Sequence, residues 1–222
     1  MDQNLLRGYE DSLYRLDAEF HIAGRLAALP GRVLRTRRNT LQRPHEFARE
    51  YFRRAGFEHV AYMLEWNHDW ALASALVERW RQESHTFHLP CGEMTITLED
   101  VAYQLGLATE GEPMSGCMTG WETFYEGRTM EDLCQQLLGA VPGENDRQAA
   151  GKWVVNMTWF RDKVYQGVGE DATEERLMQY TRGYIMQIIG GMLFPDASDS
   201  RVHMRWLPLL EDLDRCGQFV SR

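Results

Sequence analysis

The chain has 222 residues, of which 44% are hydrophobic and 11% aromatic, so it can bury a large core and is not an intrinsically disordered protein. Its net charge of −9 disfavours general affinity for nucleic acids, because phosphate binding requires a basic surface. The four cysteines lie far apart without a CxxC pair, which excludes a disulfide framework and a zinc ribbon.

The charge is unevenly distributed. Residues 1–60 contain eleven arginines and eight acidic residues, a balance of +3, so the rest of the chain carries −12. Arginine favours bidentate contacts with carboxylates and phosphates. The candidate contacts to a nucleic acid or a protein partner lie in an Arg-rich connector: Arg32, Arg35, Arg37 and Arg38. A solvated loop that pairs with the acidic body explains the same arginines equally well.

The first predicted element is a helix over residues 5–29, which ends at Pro30-Gly31. Its apolar stripe contains Leu5, Tyr9, Leu13, Leu16 and Phe20. The predicted domain division is therefore an N-terminal helical extension over 1–30 and a domain over 31–222. The N-terminus lacks a signal-peptide pattern, and the most apolar window, 184–194, is too short to span a bilayer. We therefore expect an intracellular protein without a membrane partner.

The most informative block covers residues 70–111 and predicts a helix, a β-hairpin and a second helix. Residues 86–89 and 94–97 alternate in polarity around turn residues 90–93. Their expected buried residues are Phe87, Leu89, Met94 and Ile96, so Ile96→Lys is expected to unfold the domain. The pattern at Thr97–Asp100 resembles a capping box, and Gly106 is placed to end the helix that follows.

The second half of the sequence is predicted to be mostly helical. One helix begins after Thr129, another covers about 153–165, a long one covers 173–194, and an apolar one lies around 206–213. The predicted fold class is thus mainly α: an irregular helical domain with one small β-hairpin inserted between helices.

The sequence contains no complete catalytic or metal-binding motif. Gly151-Lys152 lacks the first glycine and the Ser/Thr of a phosphate loop, and the sequence has no HExxH motif. His85 and His88 are three residues apart in a predicted strand, so they point to opposite faces and do not share a metal ion. A nucleophilic Cys91 would need His88 as its base. We therefore predict no catalytic, cofactor-binding or metal site, and an enzyme of unknown type is only a third hypothesis.

Several segments of the chain have a recognisable order: 75–81, 85–90, 92–102, 105–107, 193–196 and 205–210. Together they closely resemble the plant mobile domain, a family also labelled aminotransferase-like and found in MAIN-like plant nuclear proteins and in transposon-encoded relatives. The resemblance covers roughly residues 30–217. The family usually continues with a Tyr-Ser-Trp-Gly element after 216–218, so the resemblance predicts a C-terminally truncated domain over 31–222.

The resemblance implies a non-enzymatic nuclear protein-interaction module involved in meristem maintenance, transposable-element silencing and gene expression. The implied partners are phosphatase-like proteins of the plant type-7 class and chromatin-associated proteins. The alternative is a transposon-derived nucleic-acid-binding protein that uses the Arg-rich connector.

The label aminotransferase-like also implies pyridoxal phosphate chemistry, which requires a Schiff-base lysine and a phosphate cradle. The only lysines, Lys152 and Lys163, do not stand beside a Gly/Ser-rich loop, so we reject this activity and expect no cofactor. Because the residues of block 70–111 are those of a capped helix and a buried hairpin, we expect the working surface elsewhere, on the Arg-rich connector or on exposed aromatic residues.

Overall fold

The computed structural model describes residues 41–63, 73, 76–77, 79–108, 112–113, 127–149, 152–166, 168–194, 200–217 and 219–220. The chain divides into two compact units, the first comprising residues 1–37 and 66–97 and the second residues 38–65 and 98–222. The predicted helix 5–29 lies outside the described residues. The two units differ in how they use their apolar residues.

The first unit contains a three-stranded antiparallel sheet, preceded by helical residues at positions 73, 76, 77 and 79. Its strands, in spatial order, are β1 (Trp80–Arg81), β2 (Thr86–Leu89) and β3 (Gly92–Met94). Pro90 and Cys91 form the turn between β2 and β3, and Gly92 follows with φ of +130°, a conformation open to glycine but not to most residues. The predicted β-hairpin is confirmed, but its second strand is Gly92–Met94 rather than residues 94–97 and its turn is shorter than predicted, and β1 adds a third strand.

The second unit is mostly helical and contains α1 (Arg49–Arg54), α2 (Glu58–Tyr62), α3 (Leu98–Leu105), α4 (Met130–Leu138), α5 (Met157–Trp159), α6 (Glu174–Ile188) and α7 (Leu213–Cys216). Two π-helical segments, Phe160–Val164 and Ile189–Leu193, continue α5 and α6. Helix α6 forms the centre of the core, since every residue from Gln179 to Ile188 is buried. Helix α4 packs on it through Met130, Leu133, Cys134, Leu137 and Leu138.

Local signals in the sequence set the ends of these helices. The Thr129 hydroxyl accepts a hydrogen bond from the backbone N–H of Asp132, whose carboxylate accepts one from the Thr129 N–H. This reciprocal pair satisfies two donors that would otherwise be unpaired at the start of α4. Gly139 ends α4 with φ of +71°, and Gly106 follows α3 with φ of +65°. The predicted helix starts and stops at Thr129 and Gly106 are confirmed.

The predicted helix over about 153–165 is wrong in its first part. Strand β6 (Lys152–Asn156) lies there, in a three-stranded antiparallel sheet between β5 (Arg147–Ala149) and β7 (Arg201–His203). Trp153 and Val155 are buried while Val154 is only half-buried, which is the alternation of a strand with one covered face. One partner of β6, β5, lies just before it in the chain, and the other, β7, lies about fifty residues later, so the apolar spacing of residues 153–165 alone does not reveal the central strand of this sheet.

A further parallel pair joins β4 (Glu112–Pro113) to β8 (Phe219–Val220). The predicted fold class, mainly α, is confirmed, with more β structure than the single predicted hairpin. Near the C-terminus, the predicted apolar helix is a 3₁₀ helix, Met204–Leu210, followed by the short α7. Pro208 lies inside this 3₁₀ helix, and a proline cannot donate the hydrogen bond of a continuous α-helix. No helix among the described residues is long and apolar enough to cross a membrane.

Candidate functional site

The sheet of the first unit has one apolar and one polar face, because successive side chains in a strand point to opposite sides. The register places Trp80 opposite Phe87, and Phe87 opposite Met94, so these three side chains share the apolar face. The rings of Trp80 and Phe87 meet edge to face, with their centroids 4.9 Å apart. Their contact fixes the centre of this face.

An open groove of about 550 Å³ lies along the apolar face. Helical and sheet residues line it together: Ala73, Leu76, Val77, Trp80, Phe87, Thr95 and Ile96. Thr95 is the only polar residue among these, and its hydroxyl already donates a hydrogen bond of 3.1 Å to the His85 carbonyl. The groove therefore offers an apolar surface and is suited to another apolar surface rather than to a charged ligand.

The expected burial of the hairpin residues is wrong for Met94 and Ile96, whose side chains are 54% and 60% exposed. Phe87 and Leu89 are only half-buried. Among the described residues of this unit, a few helical residues lie beside the single sheet, and none forms the full second layer against which a sheet face is normally buried. An open apolar area beside a groove is typical of a surface that binds another protein segment.

The polar face carries a hydroxyl, an imidazole and a carboxylate close together. His88 Nε2 lies 3.2 Å from Ser84 Oγ and 3.3 Å from Glu93 Oε1. A catalytic triad uses the two different ring nitrogens for nucleophile and carboxylate, whereas both partners here meet the same nitrogen. Ser84 also bonds to the Thr86 hydroxyl at 2.7 Å. The geometry is that of an exposed hydrogen-bonded cluster and does not activate Ser84.

The remaining nucleophile and metal candidates are separated. The His85 ring lies edge-on to Trp80, with centroids 6.3 Å apart, whereas His88 contacts the polar cluster. Within the described residues, no group of three or more His, Cys, Asp or Glu side chains could hold a metal ion. Cys91 is exposed at the hairpin turn.

Two other cysteines, Cys134 and Cys216, are buried, and burial raises the pKa of each thiol to about 12. Their thiols stay protonated near neutral pH, where a thiolate would be needed for attack on a substrate. Lys163 is exposed on the π-helical segment, unlike a desolvated Schiff-base lysine.

The predicted contact residues Arg32, Arg35, Arg37 and Arg38 lie outside the described residues, so their role stays a prediction. The structure instead reveals a candidate site that the sequence analysis missed, inside block 70–111. The alternation of residues 86–96 predicts a buried face. The exposure of Met94 and Ile96 depends on which elements pack over this face, and the sequence pattern does not give that.

The profile of the plant mobile domain family matches residues 42–220. Protein MAIN-LIKE 1 of Arabidopsis thaliana is 40% identical over 154 residues, which is 68% of this chain and 28% of that protein. Serine/threonine-protein phosphatase 7 long form homolog of the same plant is 40% identical over 150 residues, 68% of this chain and 10% of that protein. Protein MAINTENANCE OF MERISTEMS, also of Arabidopsis thaliana, is 35% identical over 152 residues, which is 68% of this chain and 29% of that protein. No solved structure matches.

A mainly helical domain with small sheets, matched over most of its length by one family, defines the class of this chain. It belongs to the plant mobile domain family, as the order of its segments predicted. The chain spans less than a third of the length of these curated relatives. What the whole relatives do is therefore attributed to them alone.

Proposed function

We propose that this chain is a non-enzymatic protein-interaction module, and that the apolar groove binds an apolar segment of a protein partner. The main support for this function is the exposure of Met94 and Ile96 at the groove of about 550 Å³. Covering such a surface is favourable by about 25 cal/mol for each Å² of apolar area removed from water. The hydrogen-bonded Ser84–His88–Glu93 cluster, with its shared Nε2, supports binding rather than catalysis.

The partner we propose is a serine/threonine phosphatase of the plant type-7 class, with chromatin-associated proteins, acting in the nucleus. One relative is named for phosphatase 7, which supports the proposed partner. Another is named for the maintenance of meristems, which supports a role in that process. Transposable-element silencing and control of gene expression complete the proposal. A fluorescent fusion expressed in plant cells should concentrate in the nucleus, and exclusion from the nucleus would contradict this location.

The binding test uses the full chain and a purified plant type-7 phosphatase in isothermal titration calorimetry. Ile96→Asp places a charge in the groove wall and should weaken binding at least about tenfold, because an unpaired charge would be desolvated on association. The matched control is Tyr103→Asp on α3, a position 81% exposed that does not line the groove. If the chain does not bind the phosphatase, or if Ile96→Asp binds as tightly as the control, the proposed function is wrong.

A second candidate function is nucleic-acid binding by the Arg-rich connector. Each described arginine of α1 already has an acidic partner: Arg49 pairs with Glu46 and Glu58, Arg53 with Glu50, and Arg54 with Asp214. These pairs reduce the excess positive charge available in residues 41–60. The four predicted contact arginines between positions 32 and 38 therefore become the main candidates for phosphate contact.

Fluorescence anisotropy with labelled duplex DNA, at two salt concentrations, tests this second candidate. Binding should fall steeply with salt and decrease when Arg35, Arg37 and Arg38 are changed together to Ala. The matched variant is Arg53→Ala, which removes an arginine already paired with an acid. Absent or salt-insensitive binding would rule the candidate out.

A further inference from the structure

We propose that residues 5–20 of this chain dock in the apolar groove as an amphipathic helix, so that a partner protein has to displace them. The proposal rests on the proposed function, because it names the internal competitor of the same groove. Its occupant is a segment outside the described residues, and three observations connect the segment to the groove: its apolar stripe, the chemistry of the groove and the length of the connector.

The first observation is the pattern of the segment. Its apolar residues recur at intervals of four, four, three and four: Leu5, Tyr9, Leu13, Leu16 and Phe20. At 100° per residue they fall within about 80° of one another on a helix about 24 Å long. A single helix of this length is marginal in water and gains its stability by covering its apolar stripe. The segment therefore needs an apolar surface.

The second observation is that the groove offers such a surface. Leu76, Val77 and Trp80 line it, and Ile96 remains 60% exposed at its edge. An amphipathic helix that lays anchors at these spacings into a hydrophobic groove is a recurrent mode of peptide recognition. The segment carries Arg7 and Arg15 against four acids, so its opposite face is charged and suited to solvent.

The third observation concerns reach and position in the chain. The groove lies in the unit that comprises residues 1–37 and 66–97, so occupant and groove belong to one compact unit. The twenty residues 21–40, which link the segment to the described part of the chain, can span at most about 70 Å when fully extended. A tethered segment competes at a high effective concentration with any partner in solution. The family matches residues 42–220, which contain the groove but not this segment.

Photo-crosslinking in the full chain tests the proposal. Replacing Ile96 with p-benzoylphenylalanine, followed by irradiation at low protein concentration and peptide mass spectrometry, should give intramolecular links to residues 5–20. Leu13→Asp, which places a charge in the apolar stripe, should reduce these links at least about tenfold. The matched control is Ala18→Asp on the opposite side of the helix, which should retain them. The same photo-residue at Tyr103 should not link to the segment.

Links that join two copies of the chain would assign the groove to a second molecule and overturn the proposal. Absence of links to residues 5–20 would overturn it as well. Calorimetry with the type-7 phosphatase separates this result from the proposed function. If the segment competes, Leu13→Asp should bind the phosphatase at least about threefold more tightly than Ala18→Asp. Equal affinities would refute displacement, whereas absence of binding by every variant would refute the proposed partner and leave the crosslinks to decide the docking.

Discussion

The two units of this chain use similar apolar sequences in opposite ways. In the second unit, Ile185 on α6 and Leu133 on α4 are completely buried, because both belong to the hydrophobic core in which these helices pack together. In the first unit, Ile96 follows a strand whose apolar face is open, and it is 60% exposed. The difference shows that hydrophobic periodicity identifies the side of an element that avoids water, but not whether anything covers it.

The largest expected difference between the two units is in the loss of stability when the same charge is introduced into each. Ile185→Asp should destabilise the protein by more than about 4 kcal/mol, because it buries an unpaired carboxylate. Ile96→Asp should cost less than about 1 kcal/mol, because the new carboxylate reaches water once residues 5–20 leave the groove. The same reasoning applies to Ile96→Lys, which alternation alone predicts to unfold the domain. Urea unfolding followed by circular dichroism measures both effects, and equal losses would show that the groove belongs to the core.

A second prediction tests how the second unit encloses a titratable group. Burial and the nearby Arg205 guanidinium lower the pKa of His203 from 6.5 to about 4. Between these two values the unfolded chain binds a proton that the folded chain does not, so stability is fully present above pH 6.5 and decreases as the pH falls towards 4. Because His203 is only half-buried, the loss should be about 1 kcal/mol.

The measurement is the free energy of unfolding at pH values from 5 to 7, for the wild-type chain and for His203→Asn. In the wild-type chain, His203 Nδ1 accepts a hydrogen bond of 3.4 Å from the backbone N–H of Arg205. An asparagine side chain retains an acceptor for this N–H but does not titrate. The pKa values of Glu211 and Asp214 are lowered by hydrogen bonds from arginines, so their effect comes at lower pH. A variant with the same pH slope as wild type would show that His203 is not enclosed.

The smallest expected effect compares the hydroxyl groups of two tyrosines of the second unit, the buried Tyr184 and the partly buried Tyr165. The Tyr184 hydroxyl donates a hydrogen bond of 2.8 Å to the Gln42 carbonyl, whereas the buried Tyr165 hydroxyl has no hydrogen-bond partner among the described residues. Tyr184→Phe should therefore cost about 1 kcal/mol, and Tyr165→Phe should be neutral or slightly stabilising. Thermal unfolding of the two variants measures the difference. A larger loss in Tyr165→Phe would mean that its hydroxyl is paired.

Elements defined by local signals were predictable. The helix start at Thr129, the glycine after α3 and the alternation of residues 86–89 depend on neighbours a few positions away. Strand β6 was not predictable in the same way: its neighbour β5 is adjacent in the chain, but its other side is covered by β7, about fifty residues later. Of the candidate site, the sequence predicted which residues share a face, but not that this face is open.

The family, the mainly helical class, the start of α4, the end of α3 and the two-sided hairpin follow from the sequence alone, because each depends on residue order or on interactions within a few positions. That the face containing Met94 and Ile96 is a surface follows from the tertiary packing and not from the pattern of residues. Burial depends on which layers pack over an element, and those layers come from distant parts of the chain. The block that identifies the family thus also carries the groove that we propose as its binding site.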